Sequence, residues 1–377
     1  MEKQPFYLIK RKLVSGKKVY YWYTYDKKGN RTVPKSTGKT SKNEAINYCY
    51  EKLSLSQLPI KNITFENYAK GWFEEGHEYL RKRMKPVKQS TLESKKGILR
   101  QVILPFFKNY KLTEISEDDI YNFLDYLDER KFSDTSKPVI IAVLKTMLNF
   151  ACYKDYIKKS PYPEILVLQR GKSKREAFTK NEILYLFSKQ WDKPKTEIFC
   201  LLSAITGMRY SEIAGLQLEQ LKDNYILIDR QTYRDRITTT KTGEKRFVTL
   251  PNRFIKLLQR MGNEFFVFSS DRNIERPFQE HAIRIILYSQ YSEEMTDRRK
   301  KFSLTFHSFR YFFNTYLMGN NVPQAKVDFV IGHSAGIGSM NRLYTTWKPE
   351  MYSDVLELQE KLLDELDFDN KFKDLIK

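Results

Sequence analysis

Thr206-Gly207-Met208-Arg209-Tyr210-Ser211-Glu212 follows an apolar run, Ile198 to Met208, that reads as a buried helix ending at Arg209. Two strings lie downstream of it: His307-Ser308-Phe309-Arg310 and Ile331-Gly332-His333-Ser334, with Tyr344 eleven residues after His333. Between the first and the second stands Lys241, in Lys241-Thr242-Gly243-Glu244-Lys245. Taken singly, these residues have plain readings. Arg209 suits a helix C-terminus, where a cation is favoured. His307 and Arg310 suit a surface pair. Gly332 suits a left-handed cap on a helix from Pro323 to Ile331, which makes His333 a polar residue past the cap. Tyr344 is one of 25 tyrosines. Taken in order, they suit a single chemistry. A phosphodiester resists attack because its anionic oxygens repel nucleophiles, so a site must neutralise charge and align the attacking and leaving oxygens. Arginine stays charged and bonds two phosphate oxygens at once. Two arginines and two histidines can surround one phosphate, a lysine can give a proton, and a tyrosine can attack.

Around these strings, residues 177–352 read as a mostly helical domain with a small antiparallel sheet. Thr179 and Glu182 form a capping box. Tyr225 to Tyr233, Arg236 to Thr240 and Arg246 to Leu250 read as three β-branched strands, the last two joined by the Lys241 segment, and helices return after Pro251. Upstream, residues 62–165 read as a helical bundle. Thr64 caps one helix. Gln89-Ser90-Thr91-Leu92 opens another, which carries Ile98, Val102 and Ile103 as far as Pro105. Ser116 precedes Glu117-Asp118-Asp119, and Val139 to Phe150 is the most apolar segment. Residues 166–176 are a linker, basic from Arg170 through Lys172 and Lys174 to Arg175.

Residues 1–57 hold 13 Lys/Arg and 4 Asp/Glu, so 13 − 4 = +9. Tyr7 to Leu13 and Val19 to Tyr25 read as strands, with a third near Arg31 to Pro34 after the Asp26-to-Asn30 turn, and a helix opens at Ser41 with Glu44. This module suits DNA, with Arg11, Lys12, Lys27, Lys28 and Arg31 as candidate contacts; a basic sheet with solvated lysines is the plainer reading. The tail, 353–377, has Val355, Leu358, Leu362 and Leu366 on one helical face.

Composition agrees. Lys and Arg number 66 against 46 acids, a net +20 over 377 residues, which favours a polyanionic partner and two or three domains. No apolar run spans a bilayer, and residues 1–12 do not form a signal peptide, so a soluble, cytoplasmic, nucleoid-associated protein is expected. Cys49, Cys152 and Cys200 lack metal or disulfide spacing and read as buried apolar residues. No nucleotide-binding G-x-x-x-x-G-K-[ST] string and no carboxylate set for two metal ions appears, so no cofactor is expected.

In the order and spacing of Arg209, Lys241, His307, Arg310, His333 and Tyr344, the chain resembles the tyrosine recombinase (phage integrase) family, over nearly its whole length. Residues 1–57 resemble that family's arm-type DNA-binding domain, and the string from Ser90 to Phe106 its helical core-binding domain. The resemblance implies a mainly α, multidomain enzyme encoded by a bacterium, phage or mobile element. It implies site-specific cleavage and resealing of double-stranded DNA at core-type and arm-type sites, by a homotetramer. An excisionase or DNA-bending protein would be a further partner. Arg209 and Arg310 would clamp the phosphate, with His307 and His333 adding hydrogen bonds. Tyr344 would attack, Lys241 or Lys245 would protonate the leaving oxygen, and Glu212 would orient the cations. One departure is a longer gap before the tyrosine, at Ala335 to Ser339, which leaves delivery of Tyr344 to its own or a neighbour's site open. Tyr352 is the weaker nucleophile. The tail would dock on a neighbouring protomer or pack on its own domain. A type IB topoisomerase-like enzyme and a DNA-binding regulator without catalysis are the alternatives in function.

Overall fold

The computed structural model describes residues 6–13, 16–25, 30–57, 63–83, 86–169, 171, 175–240, 243, 245–333 and 346–376. The chain forms two compact units, Met1–Lys172 and Ser173–Lys377, which divide inside the basic linker.

In the first unit, β1 (Tyr7–Lys12), β2 (Lys18–Tyr23) and β3 (Lys35–Ser36) make an antiparallel sheet with Tyr7 opposite Tyr23 and Trp22 opposite Lys35. The third strand forms later than the expected 31–34. Thr32 folds back on Thr24, its N–H donating to the Thr24 carbonyl at 2.9 Å and its Oγ1 to the same oxygen at 3.0 Å. Pro34 has no N–H to offer a ladder, so pairing resumes after it. Helix α1 (Lys42–Gln57) follows. Leu8 and Trp22 join Phe6, Ile46, Tyr48 and Cys49 in a small core. By strand alternation, Tyr7, Arg11, Tyr21 and Tyr23 occupy the other face of the sheet.

A separate core gathers Phe65, Phe107, Phe123, Leu144 and Leu148 from α2 (Phe65–Ala69), α5 (Leu104–Phe107), α6 (Glu117–Glu129) and α7 (Lys137–Tyr153), with α3 (Glu78–Arg81) and α4 (Gln89–Ile98) between α2 and α5. Thr64 caps α2, and Ser116 with Asp119 forms a full capping box on α6. Pro105 does not end its helix. The chain widens into a π-helical turn over Leu99–Ile103 and resumes as α5 with the proline in its first turn, where a missing N–H is tolerated.

The second unit opens with α8 (Lys180–Ser188), capped by Thr179 and Glu182 as expected. Helix α9 (Pro194–Thr206) is buried all round from Thr196 onward and is the centre of the unit. It ends at Gly207, whose φ of 64° is left-handed, and α10 (Tyr210–Ala214) starts three residues later. The strand expected over 225–233 is broken at Asp229 into β4 (Tyr225–Ile228) and β5 (Arg230–Tyr233). β5 hairpins onto β6 (Arg236–Thr239) through Arg234, at φ 55°, whereas β4 pairs with β7 (Arg246–Thr249). The small sheet is thus two separate two-stranded ladders, and β6 and β7, expected as a hairpin, are not partners. Helices α11 (Asn252–Met261), α12 (Glu280–Ser289), α13 (Glu293–Phe302), α14 (His307–Gly319) and α15 (Gln324–Ile331) follow.

The tail packs on its own unit. In the C-terminal helix Ser353–Glu365, Val355, Leu362 and Leu363 enter the core around α9. Gln359 donates through Nε2 to the carbonyls of Ile205 at 2.8 Å and Thr249 at 2.7 Å. Beyond it, Lys371 pairs with the buried Glu197, and Arg253 meets Glu360, Asp364 and Asp369. Residues 353–376 are therefore part of this unit's core and not a segment apart from it. The cysteines are free, with Cys49 and Cys200 buried and Cys152 half-buried. Among the described residues no helix is long and apolar enough to cross a membrane.

Candidate active site

Gly207 lets the chain reverse between α9 and α10. A Cβ there would lie 2.9 Å from Phe313 and 3.2 Å from Ile331, so both the backbone angle and the packing call for glycine. The reversal puts Arg209 at the start of α10 with extended backbone, not at the end of α9. A cation is disfavoured at a helix N-terminus. Glu212, one turn on, offsets it: its Oε2 accepts from the Arg209 backbone N–H at 2.9 Å and its Oε1 from Arg209 Nη1 at 2.8 Å.

Glu212 is buried, and a second arginine satisfies it. Arg246, the first residue of β7, donates Nη1 to Oε1 at 3.0 Å and Nη2 to Oε2 at 2.7 Å. Burial alone would raise the Glu212 carboxyl, but Arg246 and then Arg209 outweigh burial and hold it at about 2. Sequence reading placed Arg246 only in a strand. No local cue marks it, since its partners lie 34 and 84 residues away.

Helix α15 ends at Gly332 in the left-handed conformation, φ 63°, as the cap reading anticipates. The Gly332 carbonyl accepts from Arg209 Nη2 at 2.8 Å. His333 comes next, with Nδ1 3.9 Å from Asp328 Oδ1. On α14, Arg310 is 2% exposed and donates Nη1 to the Gly207 carbonyl at 2.8 Å. Its Nη2 is buried and has no hydrogen-bond partner among the described residues. Burial and the nearby Arg209 bring Arg310 down to about 9, and it remains protonated at neutral pH. Burial, then Arg310, Arg175 and Arg209, push His307 down to about 4. Burial and Arg310 also lower His333, against the pull of Asp328. Both imidazoles are therefore neutral at pH 7, and each can donate one hydrogen bond and accept another. His307 opens α14, at the helix end that favours an anion.

Arg209, Glu212, His307, Arg310 and His333 thus come together as one group. Lys241 and Tyr344 lie outside the described residues, as do Lys27, Lys28, Arg170, Lys172 and Lys174. The competing Lys245 is exposed and sits near Asp229, whose carboxyl is held below its usual range chiefly by Arg230, with a smaller pull from Lys245. The competing Tyr352 is fully buried against Phe247, Phe329 and Trp347, with no hydrogen-bond partner for its hydroxyl among the described residues and its ionisation driven up by burial. It has no route to a DNA phosphate without opening the core. Of the other candidate DNA contacts, Arg175 is exposed beside His307, Arg11 lies 5.0 Å from the centre of the Tyr21 ring, and Arg31 lies 3.8 Å from that of Tyr23. By alternation Lys12 belongs to the opposite face of the sheet from Arg11.

The chain belongs to the phage integrase family. Residues 176–350 match the phage integrase family itself, residues 64–127 the N-terminal SAM-like domain of phage integrases, and residues 103–170 a phage integrase SAM-like domain. Among curated proteins, none matches the sequence. Solved structures with a similar fold include a lambda integrase dimer bound to a COC′ core site, with a TM-score of 0.57 and 17% identity over 92% of this chain and 97% of that one. A lambda integrase tetramer bound to a Holliday junction aligns with a TM-score of 0.56 and 16% identity, over 88% of this chain and 96% of that one. The Tn1549 transposon integrase in complex with a circular intermediate DNA gives 0.54 and 19%, over 74% and 96%.

Proposed function

We propose that this chain, a DNA recombinase of the phage integrase family, cleaves a specific DNA site with Tyr344 and reseals it through a 3′-phosphotyrosine link, integrating or excising a mobile element. The observation that carries this reading is the buried Nη2 of Arg310, which has no hydrogen-bond partner among the described residues, close to Arg209, His307 and His333. A buried guanidinium nitrogen without an acceptor among the described residues suits an anionic ligand, and a phosphodiester oxygen supplies the acceptor.

In this mechanism Arg209 and Arg310 neutralise the non-bridging oxygens, and His307 and His333 hydrogen-bond to the same phosphate. A phenol titrates near pH ~10 in water, so the cationic surroundings are needed to stabilise the phenolate. The Tyr344 oxygen bonds to phosphorus, and its proton passes to a histidine or to water. The bond from phosphorus to the 5′-oxygen breaks, and Lys241 protonates that oxygen. A 5′-hydroxyl from a second duplex then attacks the phosphotyrosine and releases the tyrosine. The phosphotyrosine ester keeps the energy of the broken bond, so resealing needs no ATP. Two guanidinium groups fill the charge-neutralising role that metal ions fill in other phosphoryl-transfer sites.

Residues 1–57 serve as an arm-type DNA-binding domain, 62–165 as the core-binding domain and 177–352 as the catalytic domain. The lambda integrase tetramer on a Holliday junction provides the pattern of four protomers on two duplexes that we extend to this chain. An excisionase or DNA-bending protein would set direction.

To test this, the protein is incubated with sheared DNA from its source and trapped in detergent; peptide mass spectrometry and sequencing of the attached DNA follow. A nucleotide on Tyr344 joined to one recurring sequence is expected, and Tyr344→Phe should bind DNA yet yield no adduct. An adduct that survives Tyr344→Phe rejects Tyr344 as the nucleophile. Scattered sequences reject site specificity.

A further inference from the structure

Arg246 has no place in the proposed chemistry, yet it is among the most constrained cations in the unit. It is 8% exposed, and its guanidinium makes three bonds: two to Glu212 and one from Nε to the Val330 carbonyl, at 3.0 Å. It also packs against Gly332, where a Cβ would lie 2.8 Å from Cζ and 2.8 Å from Nε. It therefore touches the group that holds Arg209 and the turn that carries His333.

We propose that Arg246 is a positioning residue for strand cleavage: it is the counter-ion of Glu212, letting Glu212 orient Arg209 without neutralising it, and it braces the cap that presents His333. The inference rests on the recombinase reading above. Charge supplies the reason. Glu212 with Arg209 alone sums to zero, and a neutral pair draws a phosphate weakly. Adding Arg246 leaves the trio at +1 and Arg209 available to an anion. Geometry supplies the second part. Each oxygen of Glu212 accepts one bond from Arg209 and one from Arg246, so the carboxylate plane is fixed by four donors, and with it the position of Arg209 Nη1. The bond to Val330 anchors α15 one turn before His333. The role acts through neighbours, because Nε, Nη1 and Nη2 of Arg246 are all engaged within the protein.

The test uses the full-length chain, with Arg246→Gln, Arg246→Lys and the double variant Arg246→Gln/Glu212→Gln. The DNA is a duplex carrying the sequence recovered in the adduct experiment. Adduct formation is followed in single turnover from pH 5.5 to 8.5, together with duplex affinity. Arg246→Gln should slow adduct formation by about 100-fold at pH 7, the scale of a mispositioned reactive group, with affinity within about twofold. It should also add an acid limb to the pH profile, because burial raises a Glu212 that has lost its main counter-charge. His307 and His333, with Arg310 and Asp328 beside them, produce whatever limb the unsubstituted chain shows. The added limb should vanish in the double variant, which has no carboxylate to titrate. Arg246→Lys keeps the charge but not the fork, and should fall between. It also carries the test if Arg246→Gln does not fold. An undiminished rate overturns the proposal. So does a slower rate with an unchanged pH profile, which marks Arg246 as merely structural. A Tyr344-dependent adduct that is indifferent to Arg246 overturns this inference alone; no adduct from the unsubstituted chain overturns the recombinase reading and this inference with it.

Discussion

Removing the Glu212 carboxylate strands Arg246 in the interior without a counter-charge, and that arrangement is costly. Breaking one partner out of a buried ion pair costs about 3–5 kcal/mol, so Glu212→Ala should lower the urea-unfolding stability of the second unit by that order. A change below about 1 kcal/mol would mean that water already screens the pair. His307 sets a pH dependence. Its pKa is about 4 in the folded chain against 6.5 for the free side chain, so the unfolded state takes up its proton first. Stability should be full above about pH 6.5 and decline as the pH falls toward 4. Unfolding midpoints at pH 7.5 and pH 5 measure the decline, and His307→Asn should lessen it; an equal decline in the variant assigns the effect elsewhere. At this scale the sequence is legible where chemistry comes in short strings. Arg209, Glu212, His307, Arg310 and His333 are all readable, because each lies in a string with a glycine or helix boundary beside it. Arg246 is not. An arginine at the head of a strand looks like a surface residue until the fold brings Glu212 to it from 34 positions away.

The elements were legible where a side chain bonds its own helix. Thr64, Ser116 and Thr179 cap the helices their strings indicate, because a cap is settled within four residues. Departures occur where a neighbour decides. Pro105 reads as a stop, but the π turn before it absorbs the mismatch. Tyr225 to Tyr233 reads as one strand, but its halves find different partners, β7 and β6. From the sequence alone the tail is ambiguous, because an apolar helical face does not say which core it will enter. Here it enters its own, which makes deletion of residues 353–377 a sharp experiment. The truncated chain should lose near-ultraviolet circular dichroism and cooperative unfolding in its second unit, since Val355, Leu362 and Leu363 leave a gap and two carbonyls lose Gln359. A truncated chain that folds normally yet fails to form tetramers would show the tail working between protomers instead.

Across the whole molecule, charge is distributed unevenly: +9 in residues 1–57 against +20 in total. The family's DNA is a polyanion, and affinity for it falls with salt in proportion to the phosphates neutralised. Deleting residues 1–57 should weaken binding to long duplexes and flatten the slope of log affinity against log salt. An unchanged slope would detach this module from the DNA. The two units divide within the basic stretch 166–176, the kind of composition in which domain boundaries fall, and residues 1–57 and 62–165 share the first unit. The bracing inside the second unit was not legible in the sequence. Arg209 is held by the carbonyl of Gly332, and Arg310 by that of Gly207, so each arginine depends on a turn in another string. Such cross-bracing bears on inheritance. A lineage cannot easily alter one string while keeping the rest, and the heritable unit is the set, with Gly207, Gly332 and Arg246 included. Chimeras between relatives that exchange a single string cut a bond at its far end, whereas chimeras that carry the whole set keep both ends together.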